Sequence, residues 1–154
     1  ASIEAVKTVC HIPDTIDSLR IPASLLLQLP EALRQQQDVF ERTGGLHACA
    51  LFDIRGTQLL SREDVGRHNA LDKLTGAALT TEMLPLNAHI LLLSGRASFE
   101  LVQKAVMAGI KIIAAVGAPS SLAADMAEER GMTLIGFLRG ERFNIYSGAE
   151  RIVI

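Results

Sequence analysis

From His89 onward the chain alternates short apolar runs with stretches of helical length, and this alternation constrains its fold more than any other feature. His89 to Leu93 reads as a buried strand stopped by Ser94-Gly95, and Ser98 to Ala108 as a helix closed by Gly109. Ile110 to Val116 is the next strand. After Ala118-Pro119-Ser120-Ser121 a helix runs to Arg130 and ends at Gly131. Met132 to Phe137 and Arg142 to Tyr146 read as the final strands. Strands joined through helices pair in parallel, because the chain must cross back over the sheet before the next strand begins. These strands are apolar without clean alternation, which suits a sheet covered on both faces.

Upstream, His47 to Ile54 reads as a strand, Arg55-Gly56-Thr57 as a tight turn and Gln58 to Ser61 as its hairpin partner. Val65 to Thr80 is expected to be a helix. Between Ala23 and Arg42, Leu26, Leu29, Leu33, Val39 and Phe40 follow helical spacing, and Pro30 is expected to kink or split that helix. Ser2 to Val9 can form a short helix capped by Ser2, and Ile12 to Ile21, punctuated by Pro13, Asp14 and Asp17, reads as a linker. The expectation is a layered α/β domain with a partly parallel sheet. Residues 1–42 form a helical segment and linker packed on a core of residues 43–154.

Composition narrows the function. A net charge of −2 gives no general attraction to nucleic acid, and one Tyr, five Phe and no Trp provide no platform for stacking bases. The apolar runs fall far short of the ~20 residues that span a bilayer. No export leader is visible, and Cys10 and Cys49 lie too far apart to make a CxxC pair. A cytoplasmic protein that binds neither nucleic acid nor membrane is expected.

Three polar stretches are candidates for chemistry. Glu63-Asp64-Val65-Gly66-Arg67-His68-Asn69-Ala70-Leu71-Asp72-Lys73 places a different functional group at nearly every polar position. On a helix His68 and Asp72 share a face, as do Asn69 and Lys73, so the acid could orient the imidazole or form a surface pair. Ser94-Gly95-Arg96-Ala97-Ser98 and Ala118-Pro119-Ser120-Ser121 each follow a strand and open a helix, where unpaired N–H groups attract phosphate. The plain alternative is a capped helix with Arg96 in solvent. Neither a Walker A loop nor GxGxxG is present. Gly136 to Tyr146 sets Arg139 and Arg142 around a turn, which suits phosphate oxygens or an ordinary hairpin with a charged tip. His47 and Cys49 are two possible ligands where structural zinc usually takes four, and Cys49 reads as a small core residue. Cys10 beside His11 is not expected to be a nucleophile, and His89 reads as structural.

Together, Thr43-Gly44-Gly45-Leu46-His47, the segment Glu63 to Lys73, Ser94 to Glu100, Ala118 to Leu122 and Gly136 to Tyr146 resemble the motifs of the FdhD family, formate dehydrogenase accessory proteins that carry sulfur. The resemblance implies a cytidine-deaminase-like α/β sandwich with a mixed sheet and helices on both faces. Zinc deaminases place H-x-E and P-C-x-x-C around the metal. The matching positions here are His68-Asn69-Ala70 and Ser94 to Ser98, without the glutamate or the thiolates, so no zinc is expected.

The resemblance further implies receipt of sulfur from a cysteine desulfurase and its delivery to the molybdenum bis(molybdopterin guanine dinucleotide) of formate dehydrogenase, with a guanine nucleotide as a mimic of one arm. Cofactor contacts are expected at Phe137, Leu138, Arg139, Gly140, Glu141 and Arg142. Physical chemistry extends them to His68, Arg96 and Ser98. The persulfide cysteines of the family lie in a CxxC loop expected just upstream of Ala1, so this chain is expected to bind without transferring. A homodimer is also implied. The competing readings are a docking module for a protein partner and a zinc hydrolase on the deaminase fold. Elemental analysis of the purified protein is expected to find no stoichiometric zinc; one zinc per chain would revive the hydrolase.

Overall fold

Three parallel strands form the centre of a six-stranded mixed sheet, and antiparallel strands flank them. The structure, a computed structural model, describes residues 19–37, 47–64, 66–80, 86 and 88–154. The elements are β1 (Ile21–Pro22), α1 (Ala23–Gln37), β2 (His47–Asp53), β3 (Gln58–Asp64), α2 (Arg67–Thr80), β4 (His89–Leu93) and α3 (Phe99–Met107). They continue with β5 (Ile112–Ala115), α4 (Ser121–Glu129), β6 (Thr133–Arg139), β7 (Arg142–Ser147), a 3-10 turn (Ala149–Arg151) and β8 (Ile152–Val153). The order across the main sheet is β3-β2-β4-β5-β6-β7, with β4, β5 and β6 parallel. β1 and β8 make a separate parallel pair.

The strands are apolar on both sides because both sides are covered. Leu71 and Leu74 of α2, Leu101 and Val102 of α3, and Met126 of α4 bury one face together with Leu91, Leu93 and Ile113. On the other face Leu26, Leu29 and Leu33 of α1 meet Ala50, Phe52, Ile90, Leu92, Ile112 and Ile135. Among the described residues helices therefore lie on both faces, three against one.

Several boundaries differ from expectation for identifiable reasons. β3 extends beyond Ser61 to Asp64, because its pairing with β2 continues to His47↔Asp64. Glu63 and Asp64 are thus strand residues, and the helix begins at Arg67. α1 runs as one span through the buried Pro30. Burial of Leu26, Leu29 and Leu33 on either side of Pro30 offsets its missing N–H. Ile21–Pro22 pairs with Ile152–Val153 rather than serving as linker. Nearby, the buried Arg151 donates from Nη1 to the Gly131 carbonyl at 2.8 Å and to Thr133 Oγ1 at 3.1 Å. The expected helix Ser2 to Val9, most of the linker, Cys10, His11, Val39, Phe40 and Thr43 to Leu46 lie outside the described residues.

Leu71 is fully buried between α2 and the sheet. Leu71→Ala is expected to cost about 2–5 kcal/mol, read as a lower midpoint in chemical denaturation with unchanged slope.

Candidate functional site

The parallel strands β4, β5 and β6 end at one edge of the sheet, so Ser94, Val116 and Arg139 arrive there together. β2 runs the opposite way and begins at that edge with His47, and β3 ends there at Asp64, the partner of His47. The loops that leave these strands are bonded to one another. Val116 N–H donates to the Leu93 carbonyl at 3.0 Å, Gly117 N–H to Gly95 at 2.9 Å, and Phe137 N–H to Gly117 at 3.0 Å. Ala97 and Pro119 form a parallel bridge, with Ser120 N–H donating to the Ala97 carbonyl at 2.9 Å. A Cβ on Gly117 would stand 2.9 Å from the Gly95 carbonyl, so only glycine allows this approach.

The polar groups at this edge divide by task. Ser98 caps α3, its hydroxyl oxygen accepting from Leu101 N–H at 3.3 Å, and Ser120 caps α4, accepting from Ala123 N–H at 3.1 Å. Arg96 is exposed, and His68 is half-buried in the first turn of α2. Asp72 does not pair with His68 but receives Lys104 of α3 at 2.8 Å and 2.9 Å. Lys73 turns back to β3, reaching Asp64 at 2.6 Å and the Glu63 carbonyl at 3.2 Å. The hydrogen bond from Lys73, followed by that from Gly66 N–H, holds the Asp64 carboxyl down at about 2. Much of the diverse polar segment therefore staples α2 to its neighbours.

His47 packs beside Gly95, with Nδ1 3.6 Å from where a Cβ there would lie. Burial pushes the Cys49 thiol up to about 12, so it stays neutral in the core. His89 stands at the opposite end of β4, half-buried, and burial lowers its pKa. Among the described residues no three His, Cys, Asp or Glu are grouped to hold a metal ion.

A pocket of about 280 Å³ opens at the same edge on the α1 face. Pro30, Leu33 and Arg34 of α1 form one wall, and Leu138, Arg139 and Gly140 form the other. Ser94 and Val116 line it from the strand ends. Ser94 Oγ accepts from Ala48 N–H at 2.9 Å. Gly140, at φ 63, makes the two-residue turn that sets Arg142 opposite Arg139. Phe137 has φ 54, a left-handed backbone that non-glycine residues seldom adopt, at a register irregularity between Gly136 and Arg139. The Arg139 guanidinium lies over the Phe137 ring, 5.7 Å from its centre.

All nine expected contacts thus lie along one edge, but on two faces of the sheet. Leu138, Arg139 and Gly140 line the pocket; Glu141 and Arg142 are exposed at the adjoining turn; and Phe137 supports Arg139. His68, Arg96 and Ser98 collect at the helix starts of the three-helix face. Arg34 and Val116 were not anticipated. Arg34 is one of two charged residues on α1, beside Glu31, and nothing local marks it as meeting the β6–β7 turn.

A family model described as the FdhD/NarQ family matches residues 1–153. The sulfur carrier protein FdhD of Streptomyces coelicolor is 58% identical over 156 residues, covering 100% of this chain and 55% of that protein. The protein of the same name from Sulfurisphaera tokodaii is 51% identical over 134 residues, covering 87% and 52%. The chain spans about half the length of the curated relatives it matches. A crystal structure of a candidate formate dehydrogenase accessory protein from Desulfotalea psychrophila superposes with a TM-score of 0.83 at 28% identity, covering 97% of this chain and 62% of that one.

A carboxyl lowered from 3.8 to about 2 contributes stability that is present above the higher value and lost as pH falls through the lower. Asp64→Asn is expected to remove that dependence, so its thermal midpoint should change less than the parent's on acidification through this window.

Proposed function

Because the chain belongs to the FdhD/NarQ family, we propose that it is the cofactor-binding part of a sulfur carrier that serves formate dehydrogenase. The cargo is the molybdenum bis(molybdopterin guanine dinucleotide), whose phosphates and guanines suit the carboxyl edge of the sheet. Arg139 and Arg142 face each other across the turn, and planar guanidinium groups match phosphate oxygens. The starts of α2 and α3, with His68, Arg96 and Ser98, offer a second anionic subsite on the other face of that edge. One arm for each face would use both. The observation that carries this reading is the convergence of the Arg139 turn and the helix starts on one edge, braced by bonded loops.

In the whole protein a cysteine desulfurase supplies the sulfur, which travels as a persulfide on a CxxC loop and passes to the cofactor. Cys49 is no candidate for that step, since a neutral, buried thiol neither attacks nor is reached. The scaffold is of the cytidine-deaminase type with its chemistry removed: Ala70 stands where the proton-shuttling glutamate would, and Gly95 and Ser98 where the thiolates would. The protein works in the cytoplasm, as a homodimer, with formate dehydrogenase as recipient. No helix among the described residues is long and apolar enough to cross a membrane.

GDP, standing in for one arm, is expected to release or absorb heat on titration into the protein. Arg139→Ala should weaken its binding about tenfold, the loss expected for one charge-assisted contact. No heat at millimolar nucleotide would overturn the proposal.

A further inference from the structure

Helix α1 covers its face of the sheet alone among the described helices, and its anchoring residues decide which others reach the edge. Once Leu26, Leu29 and Leu33 are buried, Leu33 and Arg34 lie three and four residues after Pro30, within reach of its face of the helix, and the three meet the pocket together. Arg34 therefore stands on the wall opposite Arg139, and two cations from distant parts of the chain share one cavity. Each is held by a local partner. Arg34 pairs with Glu31 at 2.9 Å while both side chains remain 60% or more exposed, and Arg139 rests on Phe137. An exposed pair of this kind is weak and readily exchanged for a phosphate, which offers more oxygens to the guanidinium fork.

The interior of the pocket has a different character. Leu33, Val116, Leu138 and Pro30 give it apolar walls, and Ser94 adds one hydroxyl. The Ser94 oxygen already accepts from Ala48, so its hydrogen is left to donate elsewhere. At about 280 Å³ the cavity lies just below the usual range of roughly 300–1,000 Å³ for small-molecule sites. It has room for one ring system and not for a whole dinucleotide.

We infer that Arg34 and Arg139 form a two-armed phosphate clamp at the mouth of this pocket, with the ring of a nucleoside phosphate seated inward against Leu33, Val116 and Leu138. The inference rests on the reading that a nucleotide arm enters here, and it adds α1 to the site as a positioning and specificity element. Ser94 donates to a carbonyl on the edge of the ring. The phosphates face outward, toward Arg142.

GDP is titrated by calorimetry into the parent protein and into Arg34→Ala, Arg34→Lys and Arg139→Ala, at two salt concentrations, with circular dichroism to establish that each is folded. Arg34→Ala is expected to bind about tenfold more weakly and to lose part of the salt dependence, while Arg34→Lys recovers some of both. If Arg34→Ala matches the parent while Arg139→Ala weakens binding, the clamp is overturned and the proposed function stands. A loss in Arg34→Ala with salt dependence equal to the parent's marks a merely structural role and also overturns it. Failure of the parent to bind GDP overturns both readings.

Discussion

The contact of the Gly95 and Gly117 backbones is the constraint on which the site depends. Parallel strands bring loops to the same edge, but a side chain at position 117 would collide with the Gly95 carbonyl and hold the loops apart. With glycine at 117 the carbonyl of Gly95 receives its N–H directly, and the Ala97–Pro119 bridge and the bond from Phe137 to Gly117 follow. A chain of main-chain bonds then links the ends of β4, β5 and β6. Rigid strand ends place charged groups more reproducibly than free loops do, which matters when an anion must be met by several donors at once.

That rigidity has a local cost at Phe137. Its left-handed backbone is unfavourable for a residue with a Cβ, and it persists because Gly117 holds its N–H from one side and Leu138 is buried on the other. At this irregularity Phe137 supports the Arg139 guanidinium while Leu138 lines the pocket. The strain and the positioning of the cation are two aspects of the same backbone feature.

The polar segment 63–73 divides its groups between two tasks. It was a candidate for chemistry, and within it Asp64, Asp72 and Lys73 are occupied with Gly66, Lys104 and β3. These groups fasten α2 to β3 and α3, with His68 at the edge. Their partners come from β3 and α3. Helical spacing within the segment pointed instead to His68 with Asp72, a pairing that tertiary contacts replaced.

The βα alternation from His89 onward was legible because burial on two faces demands apolar strands, and helix ends demand glycine or a capping serine. Ser98, Ser120, Gly109 and Gly131 all mark such ends. The arginines of the β6–β7 turn were legible for a similar reason, since both lie in one short segment. The pairing of β1 with β8, the passage of α1 as one span through Pro30 and the arrival of Arg34 opposite Arg139 were not. Each depends on partners distant in the chain, and local spacing carries no record of which distant segment will supply the buried surface. Sequence alone determined which cations and hydroxyls the strand ends and turns carry; the packing of α1 across the sheet decided which of them share a cavity, because burial of Leu26, Leu29 and Leu33 fixes the side of the helix on which Arg34 stands.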